Sequence, residues 1–322
     1  MTPERIDIWR NGEYTYPAAY GFIPNIRAYT HNDNEKRDSI LVVPGGAYCM
    51  VVPQEGEIVA KDFFARGYDT YVLTYTTDIT TAFPLKKQPL KDIARAVRTI
   101  RRLKDDKEKK LFVCGFSAGG HLCATLATHY KDVIENDAGL AGFSCRPDAA
   151  ILAYPVITCK EYTEEFSKRC LLGPEPTDEE NNYFSLETQV TEDTVPCFVW
   201  TTFTDNLVNY RNACMFADAL RDKGIMCEQH VFSHGDHGLC IATEDFFEGR
   251  FGEEYTFEQV NRAVKALKEG RSINVSERRQ AELREQFADD RPAPVVPKTD
   301  PKKFADVAQW VELADLFMKR IM

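Results

Sequence analysis

Short runs of β-branched and apolar residues recur along the chain, at Ser39–Val43, Asp69–Tyr75, Leu111–Gly115, Ala149–Tyr154, Cys197–Thr202 and Cys227–Phe232. Their length and their freedom from alternation predict strands buried on both faces. Between most of them lie segments of helical period: Gln54–Ala65, Lys91–Leu103, Ala118–His129 and Asn209–Lys223. In the second of these, Ile93, Ala96, Val97 and Ile100 form one stripe. Strands alternating with helices predict an α/β fold, a doubly wound and mostly parallel sheet covered on both faces. The region before residue 37 reads as irregular chain or edge strand.

The pattern changes after Cys240, where strand signals stop. Thr256-Phe-Glu-Gln259 predicts a capping box opening a helix that ends near Gly270. Ser276 is placed to cap a second, highly charged helix running to about Ala288. Pro292, Pro294 and Pro297 mark a linker, and Asp300-Pro301 reads as the N-cap and first residue of a last helix. Its apolar stripe is Phe304, Val307, Ala308, Val311, Ala314 and Phe317–Met318, which predicts packing back onto the sheet. The expected organisation is a single domain over residues 1–322, with 243–301 a helical insertion before that helix. The insertion reads first as a surface excursion, with a lid or a subunit contact as the functional alternatives.

Composition adds exclusions rather than a fold. With 43% hydrophobic and 28% charged residues in 322, the chain is neither disordered nor collagen-like. A net charge of −10 argues against nucleic acid or an anionic membrane surface as partner. The N-terminus shows no basic start followed by an apolar run, and no apolar stretch approaches the ~20 residues that span a bilayer. The 10 cysteines form no Cys-x-x-Cys pair and several sit within apolar runs, so they are expected to be reduced core residues. Together these features predict a cytoplasmic protein.

The sharpest chemical signal is Gly115-Phe116-Ser117-Ala118-Gly119. With 18 Gly and 8 Ser in the chain, a Gly-x-Ser-x-Gly match arises by chance in roughly one such chain in forty. Here it follows an apolar strand and opens a helix, which is the setting of a nucleophile elbow. A serine hydroxyl is a weak nucleophile unless a base lies within hydrogen-bond reach and a carboxylate orients that base. In this setting the order along the chain is serine, acid, histidine. Asp205, three residues past the strand Cys197–Thr202, is the best-placed acid; Asp193, Asp218, Asp222 and Asp236 are worse placed. Among the 6 histidines, His31, His121 and His129 precede the acid and His230 lies within a strand. His237, deeper in the loop after Cys227–Phe232 and followed by Gly238, is the favoured base, with His234 in reserve. The same loop resembles a His-x-His-x-Asp-His zinc signature with Phe232 in place of the first histidine, and no other cluster supplies ligands. The run Val43-Pro-Gly-Gly-Ala-Tyr48 can turn backbone N–H groups toward the serine, and the N–H of Ala118 supplies a second donor for an oxyanion.

At this point the chain resembles a known group, the small-molecule esterases of the α/β-hydrolase superfamily, in the acetyl esterase and acetylxylan esterase branch. The resemblance rests on Val43–Tyr48, Gly115–Leu122, Leu171–Pro174, Tyr183–Ser185, Phe198–Leu207, Phe216–Leu220 and Glu228–Leu239, with Phe304–Ile321 similar to a closing helix. It implies Ser117 as nucleophile, Asp205 as acid, His237 as base, and oxyanion donors at Gly46 or Ala47 and at Ala118. It also implies a short-chain ester as substrate, an acetylated sugar or xylo-oligosaccharide above all, with no metal or cofactor. Many relatives carry a third glycine where this chain has Ala47, a residue that would be strained if the turn needs φ > 0 there. Two other readings keep the fold: a serine peptidase, for which no acidic anchor for a free N-terminus is identifiable, and a non-catalytic binding protein, which should lack one of the three side chains.

Overall fold

The computed structural model describes residues 3–10, 12–33, 35–288 and 299–321; the proline stretch Pro292–Pro297 lies outside them. Eight strands form one sheet: β1 (Glu4–Asp7), β2 (Asn25–Tyr29), β3 (Ser39–Val43), β4 (Asp69–Thr74), β5 (Leu111–Phe116), β6 (Ala149–Ala153), β7 (Cys197–Thr202) and β8 (Cys227–Phe232). Their order is β1-β2-β4-β3-β5-β6-β7-β8. The pairs β1–β2 and β2–β4 are antiparallel and all the others parallel. The mostly parallel, doubly wound sheet expected from the sequence is present. The N-terminal region supplies its antiparallel edge.

The helices are α1 (Glu57–Ala65), α2 (Gln88–Lys104), α3 (Ala118–His129), α4 (Glu165–Leu172), α5 (Asp178–Tyr183), α6 (Arg211–Asp222), α7 (Glu244–Phe247), α8 (Glu258–Lys268), α9 (Glu277–Gln286) and α10 (Trp310–Lys319). Successive strand residues point to opposite faces, so each central strand serves two cores. Leu41, Val43, Val113, Leu152 and Val199 face α2, α3 and α6, meeting Ile93, Val97, Leu122 and Phe216. Ile40, Val42, Phe112, Phe198 and Trp200 face α1 and α10, meeting Phe63, Trp310 and Phe317. This two-sided burial is why β3, β5 and β6 carry almost no polar residues.

Some sequence expectations needed correction. Thr256 and Gln259 form no capping box. Residues Tyr255–Phe257 make a 3₁₀ turn without a side-chain cap. The Gln259 side chain instead accepts the Thr77 N–H at 2.9 Å. Tertiary pairing with the segment after β4 takes the amide that the cap would have used. The last helix is shorter than its stripe suggested. Asp300 caps a separate 3₁₀ turn at Pro301–Phe304, and α10 begins only at Trp310. Ser276 does cap α9, accepting the Arg279 N–H. Helices α4 and α5 were not anticipated. All 10 cysteines are free thiols, and no described helix is long and apolar enough to cross a membrane.

Candidate active site

The strand order reverses between β3 and β5: β4 lies to one side of β3, while β5 and its successors lie to the other. At such a point the loops leaving the carboxyl ends of two neighbouring strands diverge and open a crevice. The turn Pro44–Val52 leaves β3 there and Ser117 follows β5.

Ser117 has φ 52° and ψ −118°, a conformation that a non-glycine residue keeps only under constraint. Its N–H donates to Ala153 O at 3.0 Å, and its own carbonyl accepts from His121 and Val156. The flanking glycines are steric necessities. A Cβ on Gly115 would lie 2.3 Å from Gly119 O, and one on Gly119 would lie 2.1 Å from Val43 O. Strand β5, the start of α3 and the end of β3 are thus packed backbone on backbone, and Ser117 is pushed into the cleft.

His237 and Asp205 reach Ser117 from the neighbouring loops. His237 Nε2 is 2.9 Å from Ser117 Oγ, and His237 Nδ1 is 2.8 Å from Asp205 Oδ2. A carboxylate only accepts, so Nδ1 carries the proton and Nε2 presents its lone pair to the hydroxyl. Asp205 Oδ1 accepts the N–H groups of Leu207 and Val208 at 2.9 and 2.8 Å, which fixes the carboxylate. The loops are tied together as well. Gly235 O accepts the hydroxyls of Thr202 and Thr204, and His237 N–H donates to Asn206 Oδ1 at 3.3 Å. Behind them, Trp310 Nε1 donates to Cys240 O at 2.7 Å, anchoring the histidine loop to α10. The alternative base, His234, is exposed and its Nε2 bonds Lys303 O. Among the described residues no group of three or more His, Cys, Asp or Glu side chains is arranged to hold a metal ion.

Gly46, Ala47 and Tyr48 all have positive φ, at 120°, 52° and 59°. The strain foreseen for an alanine at position 47 is therefore present. Gly46 O accepts from Cys49 and Met50, closing the turn and leaving the Gly46 and Ala47 N–H groups without a described partner. Ala118 is the first residue of α3, where an N–H has no acceptor within the helix. Gly46, Ala47, Ser117 and His237 line one cleft of about 420 Å³, together with Met50, Gln54, Glu55, Glu164, Leu207 and Phe246. Phe246 belongs to α7, so the segment after Cys240 contributes to the cleft wall.

His121 holds the glycine turn from below. Its Nε2 donates to Phe184 O at 3.0 Å, and its Nδ1 accepts the Tyr48 hydroxyl at 2.7 Å. Burial pushes its pKa down to about 4. Between about pH 4 and the ordinary histidine value near 6.5, the unfolded chain binds a proton that the folded chain refuses. The stability due to neutral His121 is complete above that range and is lost as pH falls through it. The wild type should therefore lose about 2 kcal/mol more than a His121→Gln variant between pH 7 and pH 5. Urea titrations of both proteins at the two pH values read this difference, and parallel losses would contradict it.

A mostly parallel sheet with a strained serine after β5 and a histidine–aspartate pair beside it is the arrangement of an α/β-hydrolase. Residues 28–220 match the BD-FAE family, and the chain belongs to it. The match includes Ser117 and Asp205 and stops short of His237. The chain is 53% identical over 262 residues to the endo-1,4-beta-xylanase B of Butyrivibrio fibrisolvens, covering 80% of this chain and 41% of that protein. It is 26% identical over 220 residues to the acetylxylan esterase of Xylanibacter ruminicola, covering 66% of this chain and 43% of that protein. The chain thus spans less than half the length of these curated relatives. The crystal structure of an acetyl ester-xyloside bifunctional hydrolase from Caldicellulosiruptor lactoaceticus superposes with a TM-score of 0.69. It is 30% identical, covering 83% of this chain and 97% of that one.

Two residues of the site were missed from sequence. Glu55 and Tyr154 carry no motif: only the folded turn after β3 brings Glu55 to the cleft wall, and the end of β6 sets the buried Tyr154 against the His237 ring. The unanticipated helix α5 opens on a capping box at Thr177 and Glu180, a local pattern that Thr177-Asp-Glu-Glu180 carries.

Proposed function

We propose that this chain is a serine esterase acting on short acyl esters, with acetylated xylo-oligosaccharides as its substrate class. The observation that carries the reading is the pair of contacts at His237, 2.9 Å to Ser117 Oγ and 2.8 Å to Asp205 Oδ2. His237 Nε2 takes the hydroxyl proton as Ser117 Oγ bonds to the ester carbonyl carbon. The carbonyl oxygen becomes an oxyanion facing the N–H groups of Gly46 or Ala47 and of Ala118. The tetrahedral species expels the alcohol, which takes its proton from His237, and leaves an acyl-Ser117. A water, deprotonated by the same imidazole, releases the acid and restores the serine.

The substrate class is supported by the names of the relatives, two of which act on acetyl esters and all of which refer to xylan or xylosides. The site itself favours ester over glycoside cleavage. Glycosidases generally need two carboxyl groups facing the bond to be broken. The two carboxylates of this cleft are already engaged: Glu164 caps α4 through the N–H groups of Phe166 and Ser167, and Glu55 binds Gly45 and Tyr154. The test is a panel of p-nitrophenyl acetate, butyrate and octanoate, p-nitrophenyl β-xyloside and acetylated xylo-oligosaccharides. Turnover should be fastest for acetyl esters, with acetate released from the oligosaccharides. Preference for octanoate, or activity confined to the xyloside, would overturn the assignment.

A further inference from the structure

Asp205 accounts for one carboxylate beside His237, and a second stands close by without a role in the steps above. Glu55 is 5% exposed and enters no ion pair among the described residues. Its Oε2 accepts the Gly45 N–H at 2.7 Å and its Oε1 accepts the Tyr154 hydroxyl at 2.6 Å. Tyr154 Oη in turn accepts the Cys240 N–H at 3.2 Å, so its single proton points at Glu55. Both carboxyl oxygens therefore receive hydrogen bonds, and a proton on Glu55 would find no acceptor. The donor set fits the ionised form. Burial raises the pKa of Glu55, opposed by the Tyr154 and Gly45 hydrogen bonds and by attraction to His237.

The two partners of the carboxylate, Gly45 and Tyr154, in turn pack against Ser117 and His237. A Cβ placed on Gly45 would lie 2.9 Å from Ser117 Cβ and 3.0 Å from Glu55 Oε2. The Gly45 backbone is therefore wedged between the serine and the glutamate. The Tyr154 ring meets the His237 ring edge to face, with centroids 4.9 Å apart. Tyr154 is itself held at φ 36°, with its N–H bonded to Trp200 O at 2.6 Å. A buried carboxylate without a cation is costly in the resting protein. The positive charge that arises beside it is the imidazolium of His237, formed as Ser117 gives up its proton. An attraction that appears only as that charge develops lowers the barrier rather than tightening substrate binding.

We propose that Glu55 is a positioning residue of the reaction: it fixes the oxyanion turn through Gly45 and, as a buried negative charge behind Tyr154, favours the His237 imidazolium. The proposal rests on the serine-esterase reading. Other groups face His237 too. Asp205 comes from the loop after β7, and Ser117 and Tyr154 from the ends of β5 and β6; Glu164 lines the same cleft. Asp236 is next in the chain but exposed. Glu55 is buried, whereas Glu164 is partly exposed.

The test uses Glu55→Gln and Glu55→Asp, each checked for a cooperative thermal transition, with p-nitrophenyl acetate as substrate across pH 4.5–9. Glu55→Gln keeps the shape and removes the charge. Its kcat should fall about tenfold or more with KM within about twofold. The acid limb of its kcat/KM profile should move to lower pH by about half a unit or more. Glu55→Asp keeps the charge and withdraws it from Gly45, so kcat should fall while the acid limb stays in place. A folded Glu55→Gln protein with wild-type kcat, or with lowered kcat and an unmoved acid limb, overturns the proposal. If Glu55→Gln does not fold, Glu55→Asp with wild-type kcat overturns it. A wild-type protein inert toward every ester would instead remove the esterase reading beneath it.

Discussion

Ser117→Ala should lower kcat for p-nitrophenyl acetate by about five orders of magnitude or more, leaving KM and the thermal transition close to wild type. The hydroxyl is the atom to which the acyl group is transferred, and among the described residues it is the group that hydrogen-bonds His237 Nε2. Whatever rate remains would come from the oxyanion donors and from binding alone. The substitution removes one oxygen from a residue that is 8% exposed. The strained backbone at 117 is imposed by Gly115, Gly119 and the ends of β3 and β5, not by the hydroxyl, so the elbow should survive. Stopped assays with purified Ser117→Ala and Asp205→Asn proteins measure the effect. Asp205→Asn should lose about four orders of magnitude, because an amide in place of Oδ2 no longer selects the tautomer with Nδ1 protonated. A Ser117→Ala protein with appreciable turnover would mean that the ester is cleaved elsewhere.

Gly119→Ala should damage both fold and activity. The added methyl carbon would lie 2.1 Å from Val43 O and 2.5 Å from Pro44 O, both backbone atoms with no rotamer to change. Relief requires α3 to move away from the carboxyl end of β3. That displaces Ala118, the oxyanion turn and Ser117 relative to one another. A destabilisation of about 3–4 kcal/mol is expected, at the severe end for a single methyl group. Activity in the surviving folded protein should fall about a hundredfold, since a shift of an ångström between reacting groups has that effect. Gly142→Ala is the control: no heavy atom lies within 4 Å of its added carbon, and it should change neither property measurably. Denaturant midpoints and kcat/KM for the three proteins separate close backbone approach from a mere preference for glycine.

These glycines also show why so much of the molecule could be read from its sequence. The Gly-x-Ser-x-Gly spacing reports a local steric requirement, and local requirements leave local signatures. The central strands were legible for a related reason: Leu111–Phe116 and Ala149–Ala153 are buried at every position, so no polar residue interrupts them. The edges were not. β1 is Glu-Arg-Ile-Asp and mostly exposed, and its pairing with β2 is set by the sheet it joins. Capping signals illustrate both outcomes. Ser276 caps α9 on an exposed turn, as its sequence suggested, whereas Gln259 is drawn away by Thr77, more than 180 residues distant in the chain. Helix α4 opens on Glu164, a residue seldom used as a cap, and so gave no warning.

Within the site, chain order and loop position brought Ser117, Asp205 and His237 to notice, and the structure places them in contact. The reserve histidine, His234, lies three residues away in the same loop yet turns outward to Lys303 O. Only the three-dimensional path of the loop separates the two. Glu55 was out of reach of sequence reasoning altogether. Its role depends on Gly45 lying against Ser117 and on Tyr154 reaching across from β6, contacts that join parts of the chain 99 residues apart.

The central claim is that His237 and Asp205 make the Ser117 hydroxyl nucleophilic. Its most direct test is covalent capture with a fluorophosphonate, followed by peptide mapping by mass spectrometry in the wild type and in His237→Ala. The account predicts one stoichiometric adduct on the peptide bearing Ser117 in the wild type and strongly slowed labelling in the variant. A wild-type protein that hydrolyses acetyl esters yet carries its adduct on another residue, or labels equally fast without the imidazole, would contradict it.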